Sequence, residues 1–104
     1  VATKYVEDNL DNTDISVETL SAELNMSRVQ LYKRLLSVTG TTPSEFIRNI
    51  RLQHAEQLLR QSQQGVSEIA YQVGFNNPRY FSKYFTEMYG VTPSQYKHKF
   101  DKNR

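Results

Sequence analysis

The chain has 104 residues, 38% of them apolar, no cysteine and a net charge of +2. That length fits one domain, or two very small ones sharing an element; no apolar run nears the ~20 residues of a membrane helix, and no charged-then-apolar leader is visible. Without cysteine there are no disulfides or thiolate zinc sites, which fits a reducing compartment.

Apolar residues recur at helical spacing throughout, without sustained strict alternation, so an all-α fold of about seven helices is expected. A short first helix spans Lys4–Leu10, with Val6 and Leu10 on one face, and Asn12–Asp14 form a polar break. Ser16 then caps a helix over Val17–Leu24 that aligns Val17, Leu20 and Leu24. Asn25 and Met26 make a tight turn, and Ser27 caps a helix over about 28–38 with Leu31, Leu35 and Val38 facing inward. Gly40 stops it. Thr42-Pro43-Ser44-Glu45 is a capping box with proline at the first helical position. The helix it opens reaches about Arg60 and presents Phe46, Ile47, Ile50, Ala55, Leu58 and Leu59. Beyond the polar connection 61–65, Val66, Ile69 and Val73 form a short helical face and Gly74-Phe75 a turn. Asn77 caps a helix that starts at Pro78 and directs Phe81, Phe85 and Met88 inward. Gly90 ends it, and Thr92-Pro93-Ser94-Gln95 opens a last helix through about Phe100.

The second half repeats the first. Gly40 through Phe46 matches Gly90 through Tyr96 at an offset of 50, as Leu31, Lys33 and Leu35 match Phe81, Lys83 and Phe85. Upstream, Leu20, Leu24 and Met26 match Ile69, Val73 and Phe75 at an offset of 49, so the second turn carries one extra residue near Asn76-Asn77. A duplicated unit of two short helices joined by a tight turn is what helix-turn-helix DNA binders look like. The expected organisation is a subdomain over 1–42, a linker helix over 43–60 and a second subdomain over 61–104. A helical hairpin repeat for protein binding is the alternative, but it needs more than two copies to bury a continuous core.

Charge is uneven: residues 1–26 hold six acids (Glu7, Asp8, Asp11, Asp14, Glu18, Glu23) against Lys4, while the remainder holds twelve bases and five acids. Such a balance suits a polyanion partner or simply an unevenly solvated surface. Helix geometry, at ~100° per residue, separates these readings. With Leu31, Leu35 and Val38 inward, Val29 and Lys33 point outward, flanked by Gln30 and Tyr32. With Phe81, Phe85 and Met88 inward, Arg79 and Lys83 point outward, flanked by Tyr80 and Ser82. Any one of these cations alone reads as solvated surface; the paired placement of Lys33 and Lys83 reads as two recognition helices entering a major groove. The helix N-termini after Ser27 and Asn77 favour phosphate. Phosphate contacts are thus expected from Ser27, Arg28 and Arg34, and from Asn76, Asn77 and Tyr80.

These residues resemble the AraC/XylS family of bacterial transcription regulators over about 4–100. The most specific stretch runs from Ile69-Ala70-Tyr71-Gln72-Val73-Gly74-Phe75-Asn76-Asn77 through Tyr80-Phe81-Ser82-Lys83-Tyr84-Phe85 to Gly90-Val91-Thr92-Pro93-Ser94-Gln95-Tyr96. Leu20-Ser21, Met26-Ser27, Leu31, and Arg51 with Ala55 and Leu58-Leu59 are similar to the first unit and linker. The resemblance implies two helix-turn-helix subdomains on one long helix, which place recognition helices in successive major-groove segments of double-stranded DNA. By position the base-facing residues are Val29, Gln30, Tyr32 and Lys33, then Pro78, Arg79, Ser82 and Lys83; Arg51 becomes a structural tie to the neighbouring unit. Leu36 and Thr86 depart from the family's common lysine, which puts phosphate contacts there in doubt, and Val29 and Pro78 offer only apolar contact. The resemblance also implies a cytoplasmic, nucleoid-associated activator with RNA polymerase as a partner. Its sensor or dimerisation domain is supplied elsewhere, as in the output module of a hybrid two-component regulator.

No catalytic constellation competes with this. His54 and His98 lack metal-ligand spacing, no glycine loop suits a phosphate, and Tyr84 and Tyr89 fit core packing. No enzyme activity, cofactor, metal or membrane contact is expected, and no stacking platform for RNA is apparent.

Overall fold

The computed structural model describes residues 17–100. The expected helix over Lys4–Leu10, the break at Asn12–Asp14 and the Ser16 cap lie outside the described residues. Six helices are described: α1 Val17–Glu23, α2 Arg28–Thr39, α3 Pro43–Gln61, α4 Val66–Gln72, α5 Pro78–Tyr89 and α6 Pro93–Lys99. There is no strand among these residues.

Local chemistry sets the boundaries. Three helices begin with reciprocal side chain–backbone caps, Ser27 with Gln30, Thr42 with Glu45 and Thr92 with Gln95, each satisfying two otherwise orphaned amide groups. Pro43, Pro78 and Pro93 open their helices where a missing N–H costs nothing. Gly40 and Gly90 end α2 and α5 at φ 75° and 81°, left-handed values that favour glycine.

The repeat extends to individual backbone hydrogen bonds. In the first turn the Met26 N–H donates to Ser21 O at 2.9 Å and the Asn25 N–H to Ala22 O at 3.1 Å. In the second, Phe75 donates to Ala70 O at 2.9 Å and Gly74 to Tyr71 O at 3.1 Å. The left-handed residue is Asn25 (φ 57°) in one and Gly74 (φ 103°) in the other. Asparagine tolerates that conformation at modest cost, so both turns close alike.

Each unit has its own core, and α3 feeds both. Leu20, Leu31 and Leu35 pack with Ile47 and Ile50; Ile69, Ala70, Val73, Phe81 and Phe85 pack with Leu52, Ala55 and Leu59. At ~100° per residue, the second set of α3 residues lies roughly 140° around the helix from the first. The two units therefore pack on different sides of α3. That rotation explains why Leu52, 1% exposed, falls off the stripe that Ile47 and Ile50 define and is missed by periodicity. Arg51 joins the halves: its buried Nη1 donates to Val73 O at 3.0 Å, tying α3 to the end of α4.

Two residues expected inside are outside. Val38 is 72% and Met88 41% exposed. Both share the inward direction seven residues on, but they sit in the last turn before Gly40 and Gly90, beyond the end of the core. The second seam instead continues at four-residue steps, Phe81, Phe85, Tyr89, with the Phe85 and Tyr89 ring centroids 4.5 Å apart.

Candidate nucleic-acid interface

The helices α2 and α5 present equivalent outward faces because the same contacts hold them. Leu31 and Leu35 fix the rotation of α2, and Phe81 and Phe85 that of α5; all four are buried. Val29, Gln30, Tyr32 and Lys33 are exposed on α2, as are Arg79 and Lys83 on α5, while Pro78 and Ser82 are partly covered. The two expected sets are each brought together on one face. Lys33 and Lys83 stand on separate helices, and the Lys83 Nζ lies 5.3 Å from the centre of the Tyr84 ring.

Several side chains have structural employment that the sequence did not show. Gln30 Oε1 accepts the Ser27 N–H at 2.9 Å, and Ser27 Oγ accepts the Gln30 N–H at 3.1 Å. Gln30 is thus held in the cap with its carbonyl side occupied, and the Ser27 amide is spent. In the second unit Asn77 Oδ1 accepts the Arg79 N–H at 2.9 Å and Asn77 O accepts the Tyr80 N–H at 3.1 Å. Pro78 has no N–H, so the opening turn of α5 has no spare amide for a phosphate. The expectation of anion binding by backbone amides is thereby corrected for α5, where side chains must supply it.

Arg28 forms an exposed ion pair with Glu18 at 3.1 Å, so an acid stands beside the first reading helix. Arg34 is exposed on the flank of α2 beside the turn, with Asn25, Gln30 and Lys33 around it. Asn76 and Tyr80 are exposed at the start of α5, and Asn77 is partly covered by its capping role. Leu36 is 44% exposed, and Thr86 turns its hydroxyl inward to donate to Ser82 O at 2.7 Å. Neither offers a phosphate the cation that the resemblance would supply.

Two residues on this side were not singled out from sequence. Ser44 and Arg48 lie on α3 next to the cleft between the units, and the Arg48 guanidinium stands 4.0 Å from the centre of the Tyr84 ring on α5. Their four-residue spacing was a usable signal, since it puts both on one helix face.

Away from this face, Glu56, Arg60 and Tyr96 form a hydrogen-bonded cluster between α3 and α6. The Arg60 hydrogen bond holds the Glu56 carboxyl below its ordinary range. Burial, with the hydrogen bond to Glu56 second, pushes Tyr96 up to about 12. Among the described residues no group of three or more His, Cys, Asp or Glu could hold a metal ion, and no helix is long and apolar enough to cross a membrane.

Comparison with known proteins adds three kinds of likeness. The helix-turn-helix domain family matches residues 20–99. A protein of Formosa agariphila named histidine kinase P4 is 46% identical over 99 residues, covering 95% of this chain and 7% of that protein. The lactose operon transcription activator of Staphylococcus xylosus is 38% identical over 86% of this chain and 32% of its own length. The chain thus spans under a third of either relative. Among solved structures, the DNA-binding domain of AdpA in complex with a target DNA is similar at a TM-score of 0.88 and 29% identity, covering 95% of this chain and 88% of that one.

Proposed function

The chain belongs to the AraC-type helix-turn-helix family, and we propose that it binds double-stranded DNA sequence-specifically to regulate transcription. The observation that carries this is the repeated outward face: Lys33 and Lys83 occupy equivalent exposed positions on two helices of one scaffold. Its long axis supports engagement of two groove segments, since the described fold extends 50 Å by 23 Å by 22 Å and successive major-groove segments repeat every ~34 Å.

The reading helices α2 and α5 dock in successive major-groove segments. Val29, Tyr32 and Lys33, with the free amide edge of Gln30, face bases in one; Arg79, Ser82, Lys83 and Pro78 face bases in the other. Arg79, Lys83 and Lys33 can donate to guanine; Val29 and Pro78 have no side-chain donor and read by apolar contact, as with a thymine methyl. Arg28, Arg34, Ser27, Asn76, Asn77 and Tyr80 are assigned to the sugar–phosphate backbone, through side chains. The units 1–42 and 61–104, joined by 43–60, share this work.

Activation is favoured by the name of the Staphylococcus relative. The Formosa relative, much longer and named a kinase, supports signal input from a domain elsewhere and a role as output module in the cytoplasm, at the nucleoid, with RNA polymerase as partner. Selection of bound duplexes from a random pool tests the core of this. Two enriched blocks about one helical turn apart are expected. Binding without sequence preference, or with little response to salt, would defeat it.

A further inference from the structure

Two grooves beside the reading helices share part of their lining. One follows α2 and the start of α3, beside Val29 and Tyr32; the other, about 490 Å³, lies between the two units. Val17 and Ser44 line both, so the two adjoin, and together they make up the channel. Its far wall is Asn76, Tyr80 and Tyr84, at the start of α5 and along it. The channel therefore begins beside one reading helix and ends at the N-terminus of the other.

Arg48 lines it from α3. Going around α3 at ~100° per residue, Arg48 falls on the side that packs the second core, one turn before Leu52, and Ser44 lies one turn further towards the first unit. The guanidinium stands 4.0 Å from the centre of the Tyr84 ring, within cation–π range, and its N–H groups can bind a planar or tetrahedral oxyanion. No described residue lining the channel is a carboxylate. Glu45, one turn away on α3, has an oxygen committed to the Thr42 N–H at 2.9 Å, and its carboxyl also feels the Arg48 charge.

Duplex DNA read in two successive major-groove segments presents the intervening minor groove, edged by phosphates, to the middle of the protein. We propose that the channel holds the sugar–phosphate backbone between the two half-sites, with Arg48 binding a phosphate and Tyr84 acting as its positioning residue. This rests on the DNA-binding function proposed above. It gives the arginine a second consequence: a phosphate held there is gripped by α3 and bounded by α5, so both units dock on one duplex together.

The test is a salt titration of duplex binding by the wild type, Arg48→Gln and Arg48→Lys, combined with single methylphosphonate substitutions along the DNA between the half-sites. Arg48→Gln should lower the slope of log affinity against log salt by about 0.9, the value for one phosphate, equally on selected and random duplexes. Arg48→Lys should keep the slope. One methylphosphonate position should weaken the wild type and leave Arg48→Gln no weaker. An unchanged slope in Arg48→Gln, or a wild type indifferent to every methylphosphonate between the half-sites, would overturn the proposal while steep binding on native DNA leaves the general function standing. A wild type indifferent to every such methylphosphonate overturns the proposal without any variant, so the test keeps its force even if Arg48→Gln folds poorly.

Discussion

The two units share a backbone down to matching turn hydrogen bonds, yet they are built of different material. Among the described residues the buried set of the first core is aliphatic, Leu20, Leu31, Leu35, Ile47 and Ile50, with Phe46 packed against it. The second is centred on Phe81 and Phe85, with Phe75, Tyr84, Tyr89 and Tyr96 packed against it. Its rings touch in sequence, Phe75 to Phe81 at 5.3 Å, Phe81 to Phe85 at 5.7 Å and Phe85 to Tyr96 at 5.5 Å, in tilted and edge-on geometries that add to area burial. Only the second unit also carries the Glu56–Arg60–Tyr96 cluster. The lesson is that turn chemistry and helix caps specify the fold of a unit, while the core residues set how firmly it is held. The second unit is therefore expected to be the more stable of the two, and the first to open more readily.

The largest effects should come from the cores. Phe85→Ala should destabilise the chain by about 3–5 kcal/mol, and Leu31→Ala by about 2–4 kcal/mol, measured by denaturant unfolding. Amide exchange after each substitution sharpens the contrast. Leu31→Ala should strip protection from α1 and α2 while α5 keeps it; loss in both units would show a single cooperative core and end the distinction. Arg51→Met tests the tie between them. It leaves Val73 O without this donor in a buried place, for an expected loss of about 1–3 kcal/mol. Unfolding curves for that variant should broaden as the halves uncouple.

Most of this scaffold was legible in the sequence, because caps, prolines and glycines act locally. The capping boxes of α3 and α6, the Ser27 cap of α2, the stops at Gly40 and Gly90 and the offsets of 49 and 50 needed no tertiary information. What escaped depends on partners. Leu52 is buried because the second unit packs on a different side of α3 from the first, and a single periodic stripe cannot encode two neighbours. Val38 and Met88 obey the period and still face solvent, because periodicity gives direction and not where the facing core ends. In the candidate interface, outward positions followed from rotation alone. The commitment of Gln30 to a cap, the spent amides of α5 and the Arg48–Tyr84 stack did not, since each is a competition between contacts that residue types leave open.

The reading faces should differ as the cores do. Arg79→Ala and Lys83→Ala should each weaken binding to a selected site by about 1–3 kcal/mol if they read bases, against a smaller loss for Lys33→Ala beside apolar Val29 and Tyr32. Gel shifts on selected and random duplexes separate the possibilities. Equal losses on both DNAs would mean phosphate contact and would make the two faces alike.

Proton titration should then single out the second unit. The folded state holds the Glu56 carboxyl below its usual 4.5, so the unfolded chain binds that proton more readily. The stability it adds is present above about pH 4.5 and fades as pH falls through that range. Tyr96 is displaced the other way, from 10 to about 12; its contribution is complete below pH 10 and is lost as pH rises from 10 towards 12. Glu56→Gln should flatten the acid limb of a melting-temperature profile, and Tyr96→Phe the alkaline limb. If either change instead moved α2 signals before α5 signals, the cluster would not belong to the second unit alone.

The smallest expected effect concerns an acid beside the first reading helix. Glu18 and Arg28 are both largely exposed, and such pairs contribute little to stability, so Glu18→Gln should leave melting unchanged. Its effect should appear in binding. With Glu18 ionised, a phosphate that approaches Arg28 must displace a competing carboxylate; with glutamine there, the arginine is free and one repulsive charge is gone. Affinity for any duplex should then rise by roughly two- to fivefold at low salt and converge with the wild type as salt screens the charge. The second unit has Ser67 at the position 49 residues on from Glu18, so no matching acid restrains α5. A rise limited to the selected duplex, or none at low salt, would show that Arg28 meets no phosphate and that the units differ only in how they read bases.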